Sequence, residues 1–336
     1  MRKLKILAVT LCAGLLLTGC ALEQRENMHT ATYFDLFDTV TTIKGAGTED
    51  FFQEQARSIH EKLTYYHKLF DIYEEYPGMN NLKTVNDRAG KEPVQVERPI
   101  IDLLLFCKEV YEDTDGRVNV AMGSVLSLWH DARERAKNGP AILPAERVLQ
   151  MASHHMEFSK VIIDEEDSTV FLQDPQMRLD VGAVAKGWST QQVAAQMPAN
   201  MMLSVGGNVC ITGPKNQDGK PWVVGIQDPR GEGYLQTIAL TKGSVVTSGD
   251  YERGFQLDGI NYHHIIDSET LHPSQCWSSV TVVCDDSAAA DALSTALFML
   301  PQQEGQKLLD RYGACAMWID PDGEIFYSPG FEELLT

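Results

Sequence analysis

"SSVTVVCDDSAAADALSTALFML" (residues 278–300) contains both of the patterns that decide the fold class. Its first part is a short run of β-branched residues that ends at two aspartates, a composition typical of a strand. From residue 287 to residue 300, apolar residues recur at helical spacing, and Pro301 follows them. The segment therefore predicts a strand that is followed closely by a helix.

The helical part of this segment places two polar residues among small and apolar ones. At about 100° per residue, Leu293 and Leu297 share one face of the helix, while Asp291 and Thr295 lie together on the opposite side. Oxygen donors at positions i and i+4 can share a hard cation such as Mg²⁺. Periodicity alone leaves a metal site and a solvent-exposed helix face open, and it favours the exposed face.

The rest of the sequence extends this mixed pattern over the whole chain. Residues 33–45 alternate like a first strand, and after Val161 the chain consists of short β-rich runs separated by Gly, Pro and Asp. Since no linker composition separates the two halves, we predict one α+β domain, residues 33–336, with a mixed or antiparallel sheet core and flanking helices. Helical spacing recurs in six stretches, at residues 48–73, 97–116, 118–139, 142–154, 187–196 and 287–300.

The N-terminus has the layout of a lipoprotein signal peptide. Residues 1–5 carry three basic side chains, and the apolar run that follows is too short to span a membrane comfortably. The run ends in "LTGC", where Gly19 precedes Cys20, and this favours a lipobox over an ordinary secretory signal. We therefore predict a signal peptide at residues 1–19, a lipidated (palmitate-bearing) Cys20, a polar tether at residues 20–32 and anchoring at the extracytoplasmic face of the cell membrane.

The charge and the cysteines of the chain exclude several classes of site. The formal net charge is −19, or −22 without the three basic residues of the signal peptide (−19 minus 3), which is unsuited to binding nucleic acid through its phosphates. A polyphosphate ligand would need a cation, backbone amides or well-placed lysines. The five cysteines after residue 20 form no CxxC pair, so we expect mostly buried apolar side chains without a zinc site or a disulfide framework: Cys107, Cys210, Cys276, Cys284 and Cys315.

Three further stretches have compositions that suit a binding or catalytic site. In "LDVGAVAKGWSTQQVA", Lys186 opens a helix after a glycine-bearing turn, where amides and the ammonium group favour an anion. In "SVGGNVCITG", Gly206 and Gly207 permit the close approach of a ligand. In "YHHIID", His264 and Asp267 could form an acid–base pair. Each stretch also has a simpler explanation, respectively a surface lysine, a hairpin turn and partly buried imidazoles.

These stretches occur together and in a fixed order, and through them the sequence resembles the ApbE family of FAD:protein FMN transferases from residue 32 to the C-terminus. The motifs that carry the resemblance are "VNVAMGSVLSLW", "LDVGAVAKGW", "LSVGGNV", "VVTSGDYER", "YHHIID" and "SVTVV…ADALSTALF". The resemblance implies an ApbE-like fold related to the T-fold. It also implies a Mg²⁺-dependent enzyme that transfers FMN from FAD to a Thr or Ser hydroxyl of a target flavoprotein, forms a phosphoester and releases AMP.

The resemblance also implies roles for individual residues. Mg²⁺ would be held by the side chains of Asp291 and Thr295 and by the backbone carbonyl of Ala183. His264 matches the family histidine, and we expect it to take the acceptor proton while Asp267 orients it. The implied FAD contacts are Phe37, Tyr73, Arg117, Val118, Asn119, Asp180, Lys186 and Ile265.

The chain departs from the family pattern at two places near these residues. Ser268 and Leu271 stand where many members have Pro and Gly after the aspartate. Around Phe37, "FDT" replaces a common Met-Gly-Thr.

Two other functions stay open beside the transferase. One is a Mg²⁺-dependent FAD pyrophosphatase that yields FMN and AMP, and the other is a non-catalytic FAD-binding lipoprotein. For the transferase, the expected partners are FAD and an extracytoplasmic redox protein that accepts the flavin.

Overall fold

The computed structural model describes residues 27–336 of the 336-residue chain. The predicted signal peptide, the lipidation site at Cys20 and the first part of the predicted tether lie outside the described residues. Within residues 27–336, none of the helices combines the length and the apolar character that a membrane crossing requires.

The strands and helices of the described chain are numbered in chain order. The strands are β1 (Asn27–Leu36), β2 (Thr39–Gly47), β3 (Val94–Gln95), β4 (Val161–Asp164), β5 (Thr169–Leu172), β6 (Met201–Val205), β7 (Asn208–Ile211), β8 (Trp222–Gln227), β9 (Tyr234–Leu240), β10 (Gly243–Gly249), β11 (Gly254–Leu257), β12 (Ile260–His263), β13 (Ser279–Cys284), β14 (Cys315–Ile319) and β15 (Ile325–Tyr327). The helices are α1 (Glu49–Phe70), α2 (Leu82–Asp87), α3 (Arg98–Asp113), α4 (Gly123–Asn138), α5 (Glu146–Ser153), α6 (Ala185–Ala194), α7 (Ser287–Met299) and α8 (Gln302–Tyr312).

One eight-stranded sheet forms the centre of the fold. Its strand order is β1-β2-β6-β7-β10-β13-β14-β15, and every neighbouring pair runs antiparallel. In the middle of the sheet, Val246 of β10 lies opposite Val282 of β13. Three small antiparallel sheets, β3-β5-β4, β8-β9 and β11-β12, surround it. The predicted α+β fold with a sheet core and flanking helices is confirmed, with antiparallel pairing throughout the central sheet.

Helix α7 is buried along nearly its whole surface. It packs against β10, β13 and α6, and Asp286 caps its N-terminus by accepting the N–H of Ala289 at 2.9 Å. Twelve of its 13 residues are buried, and Asp291 is only 3% exposed. The exposed helix face that periodicity favours is therefore wrong, because other elements cover the polar side of this helix as well as its apolar side.

The N-terminal strand differs from its predicted extent. Instead of one strand at residues 33–45, the chain forms a hairpin of β1 and β2, and β1 already begins at Asn27. The described part of the predicted tether, residues 27–32, is therefore strand that pairs with β2. The hairpin turns at Phe37 and Asp38, whose φ angles are 52° and 51°. Such turns usually carry Asn or Gly, so Phe-Asp gives no recognisable turn signal.

The five cysteines of the described chain are free thiols. Cys107, Cys210 and Cys284 are buried, Cys315 is partly buried and Cys276 is exposed. Burial raises the pKa of the Cys107, Cys210, Cys284 and Cys315 thiols, so these four groups stay protonated and act as apolar side chains.

Candidate active site

A cleft of about 1210 Å³ brings together residues that are far apart in the sequence. Its walls come from the β1–β2 turn, the end of α1, helix α4, the turn before α6, the end of β10 and helix α7. All but one of the predicted site residues in the described chain line this cleft, the exception being Asp267. These lining residues are Phe37, Tyr73, Arg117, Val118, Asn119, Asp180, Ala183, Lys186, His264, Ile265, Asp291 and Thr295.

The start of α6 and the middle of α7 meet in close contact at one wall of the cleft. The backbone N–H of Gly187 donates to Oδ2 of Asp291 at 2.7 Å. A Cβ atom at position 187 would lie 2.3 Å from Cβ of Asp291 and 2.5 Å from the carbonyl oxygen of Ser287. Glycine is therefore required at position 187 for α6 to reach the carboxylate, which it then holds in a fixed orientation.

The second oxygen of Asp291 is held less firmly, although the Asn208 side chain also lies near the carboxylate. Lys186 Nζ lies 3.7 Å from Oδ1, which is an ion pair without a hydrogen bond. Burial raises the pKa of Asp291, while Lys186 and the Gly187 N–H oppose the shift. A buried carboxylate with one incompletely satisfied oxygen is a suitable ligand for a cation.

The residues around Asp291 fit a hard cation such as Mg²⁺. Thr295 Oγ1 donates a long hydrogen bond of 3.3 Å to the Asp291 carbonyl, so its lone pairs are not engaged, and Ala183 lines the same cleft. Within residues 27–336, no group of three or more His, Cys, Asp or Glu side chains could hold a metal ion. A cation here would therefore combine one carboxylate with hydroxyl, carbonyl, water and ligand oxygens, as Mg²⁺ commonly does.

His264 lies in the cleft with an unpartnered ring nitrogen. Its Nδ1 is buried and has no hydrogen-bond partner among the described residues. Burial and, after it, the neighbouring His263, Arg253, Lys186 and Arg133 together lower the pKa of His264 to about 3. The imidazole is thus neutral at pH 7 and has a lone pair available for a proton.

The predicted pairing of His264 with Asp267 does not occur in this structure. Oδ2 of Asp267 accepts from Arg117 Nη1 at 2.9 Å, and Oδ1 accepts the backbone N–H of Glu269 at 2.7 Å. The carboxylate therefore fixes the turn that follows it and neutralises Arg117, and it is not free to orient the imidazole. Arg117 also pairs with Glu269 through Nη2 at 2.8 Å, so its charge is balanced by two carboxylates.

The loop after Asp267 adapts to both departures from the family pattern. Ser268 Oγ donates to the carbonyl of Gly116 at 2.9 Å, which anchors the loop to the end of α3. Leu271 has φ 62°, a conformation that suits glycine. Its side chain is nevertheless 8% exposed in a cluster with Trp129 and Leu149, and its carbonyl accepts from Trp129 Nε1 at 2.8 Å. Burial and this hydrogen bond compensate for the strained backbone.

Several predicted FAD contacts have side chains that the fold already uses. The Asn119 amide donates to the Met156 carbonyl and accepts the N–H of Ala121. Asp180 Oδ1 accepts the N–H of Gly182, and burial raises the pKa of this carboxyl. Tyr73, by contrast, is 56% exposed at the cleft, where its ring centroid lies 5.5 Å from that of His130.

The cleft also contains residues to which the sequence patterns assign no role. Arg133 and His130 come from α4, and Tyr251, Glu252 and Arg253 follow β10. The last three belong to the quoted motif "VVTSGDYER", which was the only available signal for them. Arg133 lies in the charged segment "HDARERAK", which looks like an ordinary solvated helix face.

Comparison with known proteins gives one family and one fold. The family model described as the ApbE family matches residues 37–319. The FAD:protein FMN transferase of Treponema pallidum (strain Nichols) is 34% identical over 269 residues, which cover 74% of this chain and 73% of that protein. The protein of the same name from Klebsiella pneumoniae (strain 342) is 31% identical over 274 residues, or 78% of this chain and 83% of that one.

Solved structures resemble the chain over most of its length. The ApbE protein of Thermotoga maritima superimposes with a TM-score of 0.81 at 29% identity and covers 92% of this chain and 100% of its own. The flavin transferase ApbE from Vibrio cholerae has a TM-score of 0.77 at 22% identity with the same coverage, which supports the fold alone.

Proposed function

The chain belongs to the ApbE family, and on this basis we propose that it is an FAD:protein FMN transferase that uses Mg²⁺. It transfers FMN from FAD to a Thr or Ser hydroxyl of a target flavoprotein and releases AMP. The observation that carries this proposal is the contact between α6 and α7, where the buried Asp291 carboxylate, Thr295 and Ala183 face one large cleft.

The transfer is a substitution at phosphorus. The acceptor hydroxyl oxygen forms a bond to the phosphorus of the FMN half, and the bond from that phosphorus to the bridging oxygen breaks. AMP leaves with the bridging oxygen, and the hydroxyl proton passes to a base. When bound at Asp291, Thr295 and Ala183, Mg²⁺ would neutralise the diphosphate and stabilise charge on the leaving oxygen.

His264 is the base in this proposal. No hydrogen bond holds its Nδ1 among the described residues, so the imidazole is not committed to another group. The three cations that depress its pKa, namely Arg253, Lys186 and Arg133, line the same cleft. The negative charges of bound FAD would oppose the effect of these cations on the pKa of His264, whose largest cause is burial.

The cellular setting of the reaction follows from the N-terminal sequence. A signal peptide at residues 1–19 and a lipidated Cys20 would place the enzyme on the extracytoplasmic face of the cell membrane. The acceptor would then be a redox protein on that face. Its flavinylated segment must be extended enough to bring a hydroxyl into the cleft.

The transfer reaction tests the proposal directly. The full chain in detergent is incubated with FAD, Mg²⁺ and an acceptor protein that carries a flavinylation segment, and the same acceptor with Val for its Thr is the control. In-gel flavin fluorescence measures labelling, and chromatography measures AMP. We expect one AMP per labelled acceptor, neither product without Mg²⁺ and no label on the Val control.

Two results would replace this function with another. If FMN and AMP were released equally fast with the Thr acceptor and with its Val control, and no acceptor were labelled, the chain would be an FAD pyrophosphatase. Water would then take the place of the hydroxyl. Tight FAD binding with neither product would identify a non-catalytic FAD-binding lipoprotein.

A further inference from the structure

Four lysine or arginine side chains line the cleft, and they differ in how their charges are balanced. Arg117 pairs with Asp267 and Glu269, and Lys186 lies beside Asp291. The other two, Arg133 and Arg253, form no ion pair with a carboxylate anywhere in residues 27–336. In a chain with a net charge of −19, two such arginines in one cleft are conspicuous.

The surroundings of Arg133 are unfavourable for a charge. It is partly buried, and its hydrogen-bond partner is the imidazole of His130, whose Nδ1 lies 3.0 Å from Nη2. Burial, and after it the positive charge of Arg253, lowers the pKa of Arg133. The neighbouring Glu134 pairs with Lys137 at 2.7 Å and is therefore partly neutralised already.

Arg253 has no hydrogen-bonded partner among the described residues. It is exposed, lines the cleft and lies close enough to Arg133, Asp180 and His264 to affect their protonation. Asp180 lines the same cleft but forms no ion pair with either arginine. His264 lines the same cleft, and its Nδ1 has no hydrogen-bond partner among the described residues.

We infer that Arg133 and Arg253 form a binding site for the diphosphate group of the substrate. A single carboxylate would balance one of the two arginines, whereas a diphosphate brings two negative charges and several acceptor oxygens. Guanidinium groups suit these oxygens because they donate in a planar fork. The inference rests on the proposed function and adds two residues on α4 and after β10 to the set that recognises FAD.

The four cations of the cleft differ in what they would lose when a ligand binds. In this structure Lys186 lies beside Asp291 and Arg117 pairs with the loop carboxylates, so a ligand would compete with these carboxylates for either cation. On binding a ligand, Arg253 would lose only its hydration, and Arg133 would lose its hydration and the contact with His130. They therefore contribute more to affinity than cations that are already paired.

Equilibrium binding of FAD to the full chain tests the inference without any transfer step. Arg133→Gln and Arg253→Gln are compared with wild type by calorimetry, with and without Mg²⁺ and without acceptor. We expect each substitution to weaken FAD binding about tenfold, and ADP binding by a similar factor. The dependence of FAD affinity on salt concentration should also become shallower, because each variant removes one phosphate-binding charge.

The matched control is Arg135→Gln. Arg135 is exposed on the same helix α4, does not line the cleft and donates only to the Asp131 carbonyl. The Arg135→Gln substitution should leave FAD affinity within about twofold of wild type. Arg253 forms no hydrogen bond or ion pair with other described residues. Its replacement should therefore leave the thermal unfolding midpoint unchanged and give a folded variant.

Two outcomes would overturn the inference. One is FAD and ADP affinity within about twofold of wild type for both arginine variants. The other is unchanged FAD affinity together with a raised KM for the acceptor protein, which would assign the arginines to acceptor carboxylates. Failure of the proposed function looks different, because then wild type binds FAD but never labels the acceptor.

Discussion

The backbone N–H of Gly187 donates a 2.7 Å hydrogen bond to Oδ2 of Asp291 and so joins the start of α6 to the middle of α7. The two residues are 104 positions apart in the sequence. This contact holds a buried carboxylate at the wall of the cleft with one oxygen left for a cation. The candidate metal site therefore depends on how two helices pack as much as on the ligands themselves.

Gly187→Ala should disrupt both stability and activity. The new Cβ would lie 2.3 Å from Cβ of Asp291, so α6 must move away from α7. We expect a loss of about 1–3 kcal/mol in the free energy of unfolding, measured with urea, and a loss of transfer activity. Gly139→Ala is the control, since its nearest contact is the Arg135 carbonyl at 3.7 Å, and it should change stability by less than about 0.5 kcal/mol. Equal effects of the two substitutions would contradict the packing argument.

Asp291→Asn should remove the metal site while it preserves the fold. Asparagine has nearly the same volume, and its carbonyl oxygen can still accept the Gly187 N–H, but it lacks the charge that binds a cation. We expect FMN transfer to fall about 100-fold or more. Adding Mg²⁺ should raise the thermal unfolding midpoint of wild type and leave that of the variant unchanged. A variant that keeps the wild-type response to Mg²⁺ would show that the cation binds elsewhere.

His264 should make the protein less stable in acid. Because burial lowers its pKa to about 3 in the folded chain, the unfolded chain binds a proton that the folded chain does not, from about pH 6.5 downwards. Stability that is present at pH 7 is therefore lost as the pH falls, by up to about 2 kcal/mol at about pH 5. His264→Gln should make this decline smaller by that amount in urea unfolding. His154→Gln, at an exposed position, serves as control. If the free energy of unfolding fell with pH as steeply in His264→Gln as in His154→Gln, the loss of stability would not come from His264.

Leu271 should tolerate glycine better than alanine. Both substitutions remove a buried side chain and should destabilise by about 2–4 kcal/mol. Since φ at this position is 62°, however, Leu271→Gly relieves backbone strain that Leu271→Ala retains, and glycine should be the more stable by about 1 kcal/mol. Leu149 lies in the same cluster within helix α5, and there the order should reverse, with glycine worse than alanine by about 0.5–1 kcal/mol. The same order at both sites would rule out strain at Leu271.

Much of the local structure can be recognised from the sequence. The helical stretch at residues 48–73 corresponds to α1, with Thr48 as its N-cap, and the stretch at residues 287–300 corresponds to α7. Hydrophobic periodicity and capping residues act within a few turns of chain, so they are visible in a short window. The hairpin of β1 and β2 has no such local signal, because Phe37 and Asp38 adopt positive φ where a turn usually has glycine or asparagine.

The candidate site depends on contacts that no local pattern contains. Periodicity places Asp291 and Thr295 on one side of α7, but only the packing of α6 against that side buries Asp291. Short spacing suggests that His264 and Asp267 act together, yet Arg117, 150 residues away from Asp267, binds the carboxylate. Arg133 looks like part of a solvated helix until Arg253 lies near it in the cleft. Sequence periodicity states which side chains share a face, whereas burial and charge balance depend on what the rest of the chain places against that face.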